Sequence, residues 1–263
     1  MREDNPFGGD AHAMGRTTRR KKVQQPGSSK QRKPRRDKGT TLLNGRDLRV
    51  LLWIAEQYAA RIDQVQALLN RTPGRNASPE GITLSAVLQV IARWTALGLI
   101  EYKRIYDGEP GWVWLTPYGL TVLRLSYARH VPRPSTLPHL YAINRVRLST
   151  ERRHPEYRWV SERTLRAALP RREPGQPVPH MPDAQVWQPK PVAVEVELSV
   201  KPNAELDDIL LGLVSHSSSA SPVYTTVWYF VTPQTHTSVE EARDRLPIDL
   251  QARVQIIPLE SVP

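Results

Sequence analysis

The chain has 263 residues, with 37 Lys/Arg against 26 Asp/Glu and a formal charge of +11. It contains no cysteine, which excludes disulfides, thiolate metal sites and thiol catalysis. No apolar run reaches membrane length and the charged N-terminus lacks a signal-peptide core, so a soluble, cytoplasmic protein is expected.

The charge is uneven. Residues 1–40 hold 12 Lys/Arg and 4 Asp/Glu, residues 41–130 hold 10 and 7, and residues 131–263 hold 15 and 15. Residues 1–40 have almost no large apolar side chains and read as a disordered basic arm, because so little burial cannot offset the entropy of ordering. Its clusters include Arg19, Arg20, Lys21, Lys22, Arg35 and Arg36. Clustered cations of this kind neutralise phosphate without reading sequence, although a solubilising tail has the same composition.

Residues 41–130 carry helical periodicity three times. Gly45–Ala60 is expected to turn Leu48, Leu51, Leu52 and Ala55 inward. Arg61–Leu69 follows, then a Pro/Gly loop over 72–79. Gly81–Leu97 is expected to bury Leu84, Val87, Leu88, Ile91 and Trp94. Ile100–Ile105 and Trp112–Leu115 flank an Asp107-Gly108 turn and predict a hairpin. Thr116-Pro117 opens a fourth helix, expected to run to about Arg129. Helix–helix–helix–hairpin is the order of a winged helix-turn-helix, and Trp94–Glu101 with Val113–Leu120 resembles many bacterial winged-helix proteins. Ser85, Gln89 and Arg93 recur every four residues on the third helix and suit contact with bases or phosphates, or else form a plain solvated face. The acidic turn Asp107-Gly108-Glu109 would repel phosphate, so Lys103 and Arg104 are the better wing contacts. A winged helix can equally serve as a protein-interaction module.

Residues 131–137 read as a proline-rich linker. Within 138–263 the expected order is a helix over Pro138–Arg153, a strand at Tyr157–Ser161, a short helix at Thr164–Leu169 and a Pro/Arg-rich loop over 170–179. Strands at Asp183–Trp187 and Val192–Ser199 follow, then a helix over Ala204–Val214 and a central strand at Thr225–Val231. A helix over Val239–Arg245 and a strand at Val254–Ile257 close the chain.

The acids of the middle strands carry the chemistry. Along Val192–Ser199, Val194, Val196 and Leu198 fall on one face and Ala193, Glu195 and Glu197 on the other. A hairpin would bring Asp183 towards Glu195, and clustered carboxylates are the ligands that hard divalent ions take. The bland alternative is a solvated strand face with a turn acid after Pro182. Glu162 could add a ligand, hold Arg163, or be a plain surface acid; Glu151 and His154 read as surface residues. No phosphate-cradling glycine loop and no His-x-His or HExxH pair is present, and Ser215–Ser219 reads as a loop with no acid–His–Ser arrangement.

Pro182-Asp183 with Glu195-Val196-Glu197, in an αβββαβ order, resembles the PD-(D/E)xK, or restriction-endonuclease-like, fold. That resemblance implies Mg²⁺ or Mn²⁺ held by Asp183 and Glu195, with Glu197 standing where a lysine is expected. Lys201 is the natural substitute, provided the chain turns back at Lys201-Pro202-Asn203; Lys190 in the preceding turn is a poorer one. The implied catalytic set is Asp183, Glu195, Glu197 and Lys201, and the implied chemistry is metal-assisted phosphodiester hydrolysis. Trp159–Arg166, Pro182–Ala184, Val194–Lys201 and Val227–Val231 together resemble the replication–relaxation family of plasmids and integrative elements, over roughly residues 45–235. That likeness implies an α+β protein in which a winged helix precedes a nuclease-like domain. It also implies a role in replication, DNA relaxation or mobilisation, with double-stranded DNA as partner and a relaxase or replication initiator as candidate protein partner. Three readings follow: a DNA-binding protein of a mobile element, a metal-dependent endonuclease, and an adaptor in a nucleoprotein complex.

Overall fold

The structure is a computed structural model that describes residues 43–71, 81–169, 180–215 and 224–263. The basic clusters of the arm and the loops expected at 72–79, 170–179 and 216–219 lie outside the described residues. Residues 41–263 form one compact unit of mixed α+β structure.

Its first part is α1 (Gly45–Glu56), β1 (Ala60–Arg61), α2 (Ile62–Arg71), α3 (Leu84–Ala96), β2 (Ile100–Lys103), β3 (Trp112–Leu115) and α4 (Pro117–Val122). The three strands form an antiparallel sheet in the order β1-β3-β2. Asn44 starts α1 through a reciprocal capping box with Asp47. Val50, Leu51, Ile54, Val65, Leu69, Val87, Ile91 and Trp94 fill the core beneath the sheet.

Two expectations of inward residues fail here. Leu48 and Leu52 of α1, and Leu84 and Leu88 of α3, are 38–52 % exposed. α1 is apolar through the whole run Val50–Ala55, and its buried stripe takes in Val50, Trp53 and Ile54, the Trp53 indole meeting Glu151 of a later helix. α3 buries only the narrow stripe Val87–Ile91–Trp94. The fourth helix also stops early. Arg124 adopts φ 56°, and the Leu125 N–H bonds Leu120 O, a left-handed C-terminal cap that ends α4 seven residues before the expected boundary near Arg129.

The second part begins at α5 (Leu137–Arg153), followed by β4 (Arg158–Ser161), α6 (Glu162–Ala168), β5 (Ala184–Trp187), β6 (Pro191–Glu197), α7 (Asn203–Ser215), β7 (Thr226–Val231), α8 (Pro233–Asp244), α9 (Ile248–Gln251) and β8 (Val254–Pro258). The five strands lie in sequence order, β4-β5-β6-β7-β8. β4, β5 and β6 form an antiparallel meander, while β7 and β8 join in parallel after helical crossovers. One face packs on α5 through Ala142, Ile143, Val146, Val192, Val194 and Val196. The other packs on α7 and α8 through Ala193, Leu206, Leu210, Tyr229, Val231 and Val239. β6 is therefore covered on both faces, which explains its near-continuous apolar run.

α5 is buried nearly all round because it also meets the first part of the chain. Asn144 is fully buried; it accepts from Gln57 and donates to Ala59 O and Gln64, each at 3.0 Å. Arg147 pairs with Glu56 and Glu151, both at 2.7 Å, over the Trp53 ring. Glu151, expected at the surface, thus belongs to this seam, where it also accepts from the Trp53 indole.

Candidate functional site

The antiparallel register pairs Ala184 with Val194, so one rung further Asp183 stands opposite Glu195. The parallel register sets Glu195 beside Tyr229 and Glu197 beside Val231. The expected alternation along β6 holds, and the acid face is not solvated: Glu195 is 7 % and Glu197 4 % exposed. A carboxylate so far from water needs a partner, and each of the three acids has one.

Asp183 Oδ2 accepts from the Val196 N–H at 2.8 Å and lies 3.2 Å from His139 Nε2, which also bonds Val196 O at 2.9 Å. Burial by itself would lower the affinity of His139 for its proton. The hydrogen bond and charge of Asp183 outweigh it, and the His139 pKa is raised to about 9. Glu195 Oε1 lies 2.8 Å from His180 Nε2. Burial and the neighbouring Asp183 push Glu195 up to about 7, against the opposing pull of His180. Glu197 Oε2 meets the Lys201 ammonium directly. Lys201 reaches it because the chain leaves the strand after Glu197 and α7 begins at Asn203.

Two tyrosines complete the buried side. The Tyr229 hydroxyl donates to Glu197 Oε2 at 3.5 Å and is held protonated by burial and by the charges of Glu195, Glu197 and Asp183. Tyr224, pushed up to about 12 by burial and Glu195, donates to the buried Gln185 at 3.4 Å.

The sequence reading thus places Asp183, Glu195, Glu197 and Lys201 in one centre, and the structure brings these four together. It does not foresee His139, His180, Tyr224 or Tyr229. His139 comes from α5 and carries no local signal at all. His180 stands three residues before Asp183 but forms no metal-binding spacing. Lys190 is exposed in the β5–β6 turn.

As a metal site the arrangement does not fit as it stands. Among the described residues no group of three or more His, Asp or Glu side chains is arranged to hold an ion. One oxygen of each acid is engaged: Asp183 Oδ2 by His139 and the Val196 N–H, Glu195 Oε1 by His180 and Glu197 Oε2 by Lys201.

Glu162 opens α6 directly after β4. Its N–H bonds Asp183 O at 3.0 Å, and its carboxylate accepts from the Tyr58 hydroxyl at 3.0 Å and pairs with Arg166. It does not hold Arg163, which instead donates to Ala55 O and Ala128 O between the rings of Tyr58 and Tyr127. Glu162, Asp183, Tyr58, His130 and His139 share a cleft of about 300 Å³.

In the first part, Ser85, Gln89, Lys103 and Arg104 are exposed. Arg93 is half-buried and its guanidinium meets the fully buried Asp47 at 2.5 Å, so its charge is committed to joining α3 to α1. No family model matches the chain, and no curated protein or solved structure matches it either.

Proposed function

We propose that this is a DNA-binding protein of the replication–relaxation type, acting on plasmid or integrative-element DNA in replication, relaxation or mobilisation. The observation that carries the reading is the connectivity α1-β1-α2-α3-β2-β3 with sheet order β1-β3-β2. Three helices closed by a three-stranded sheet are the parts of a winged helix, and α3 presents Ser85 and Gln89 while the β2 end presents Lys103 and Arg104. The basic arm, with 12 of the 37 Lys/Arg, adds sequence-independent attraction. The meander β4-β5-β6, with β7 parallel to β6, supports a nuclease-like second half.

The test is a mobility shift of duplex DNA by the full chain at two salt concentrations. A complex that weakens steeply with salt is expected, and the double variant Lys103→Ala/Arg104→Ala should lower the salt slope by about 2, one per phosphate contact. Absence of any salt-dependent complex sinks the reading.

One feature favours metal-dependent phosphodiester cleavage as a second reading: three acids and a lysine converge on one buried face. It requires His139 and His180 to release Asp183 and Glu195 to an ion. Nicking of supercoiled plasmid with Mg²⁺ or Mn²⁺, lost in Asp183→Asn and Glu195→Gln, is its expected result. Nicking that persists in both variants removes the assignment.

A further inference from the structure

The cleft beside Asp183 has no role in either reading. Its walls come from the end of α1 and His130 on one side, and from α5 and the start of α6 on the other; Leu140 and Ile143 supply its apolar surface. Four features limit what can occupy it.

The first is charge. Each carboxylate at the cleft pairs with a cation: Glu56 with Arg147 at 2.7 Å, which it shares with Glu151, Glu162 with Arg166, and Asp183 with His139 at 3.2 Å. No net charge is left to draw in a free cation. The second is an aromatic wall: the Tyr58 and His130 rings lie 4.5 Å apart, tilted by 51°. Burial and the Arg163 charge lower the His130 pKa, which favours its neutral ring.

The third is backbone strain. Tyr58 has φ 68°, at the position after a helix where glycine is the usual residue. A bulky aromatic held there is a device found at ligand clamps. The fourth is scale: about 300 Å³ suits one small organic group rather than a segment of polypeptide. A neutral, planar, hydrogen-bonding group meets all four.

Resting on the proposed DNA-binding function, we propose that this cleft receives a single unpaired nucleobase. The base stacks on Tyr58 and His130, while the Glu162 and Asp183 carboxylates accept hydrogen bonds from its exocyclic amino group. Cytosine, adenine and guanine carry such an amine and thymine does not, so thymine is the disfavoured base. The protein thereby prefers DNA with an extruded or unpaired nucleotide over a continuous duplex.

Two measurements on the full chain test this. Saturation-transfer NMR with the four free 2′-deoxynucleosides is expected to show contact with deoxycytidine and deoxyadenosine and weaker contact with thymidine. Thr136→Trp, which fills the cleft from its exposed rim, and His130→Ala should abolish or weaken that contact. Fluorescence anisotropy is expected to show a duplex with a one-base bulge bound about tenfold tighter than the paired duplex, the scale of stacking one base on one aromatic side chain. In Thr136→Trp the two duplexes should bind alike, with paired-duplex affinity unchanged. Nucleoside contact that is absent, or unaltered in Thr136→Trp, overturns the cleft assignment even where duplex binding is intact. Nucleoside contact without duplex binding upholds the nucleobase site and removes the duplex-binding reading alone.

Discussion

Charge is buried in two regions of this molecule, the seam around α5 and the centre on β6, and the two handle it differently. In the seam the principal buried polar groups meet opposing groups of fixed geometry, with Ser149 Oγ and one Arg147 nitrogen left unpaired. Asn144 serves three partners, and Arg163 donates to two carbonyls between two tyrosine faces. At the centre three acids share one face, and burial first and the neighbouring Asp183 second leave Glu195 holding its proton near neutrality. A satisfied network locks a structure, whereas a crowded set of like charges is destabilising and calls for a cation.

The largest effect expected from breaking this contrast lies in the seam. Arg163→Ala leaves the buried Ala55 carbonyl unpaired, frees the carbonyl of the exposed Ala128 and removes the filling between Tyr58 and Tyr127, and should destabilise the chain by roughly 2–4 kcal/mol, measured by urea unfolding. A change under about 1 kcal/mol would mean that the seam is not what joins the two parts.

At the centre the sign should reverse. The Glu195 pKa is raised in the folded chain, from 4.5 to about 7, so its ionisation opposes folding, and wild-type stability drains away as pH rises between those values. Glu195→Gln should therefore be more stable than wild type by about 2 kcal/mol at pH 8, and little changed at pH 5, by the same unfolding assay. Equal stability at pH 8 would show that His180 already relieves the charge in full.

The smallest effect concerns His139. Its folded pKa is raised from 6.5 to about 9, so the Asp183 pair stabilises fully below pH 6.5 and is lost as pH climbs through 9. In His139→Asn the fall in denaturation midpoint between pH 6.5 and 9 should flatten. The change should be modest, since the imidazole is partly exposed and water screens the pair. An unchanged slope would place the titration elsewhere.

Much of the fold can be read along the chain. The strands at Thr226–Val231 and Pro191–Glu197, the helices at α3 and α7, and the β2–β3 hairpin all follow from period and turn chemistry. The two-residue β1 escapes because so short a strand has no period; it exists only by pairing with β3. The outward Leu48, Leu52, Leu84 and Leu88 escape because an apolar residue does not state which neighbour will cover it. Within the centre, Asp183, Glu195 and Glu197 stand out as acids in strands, and the return of Lys201 follows from the turn before α7. The partners of those acids are another matter: His139 approaches from a helix more than forty residues upstream.

The sequence by itself determined the order of the longer elements, the charge gradient, the absence of thiol chemistry and the shared face of Glu195 and Glu197, because these depend only on composition and on helix and strand periods. Only the tertiary structure decided that this face is dry, that each acid has a basic partner, and that Tyr58, Glu162 and Asp183 line one cleft. Burial and proximity between distant segments depend on how α5, α7 and the seam pack, and no local pattern encodes that.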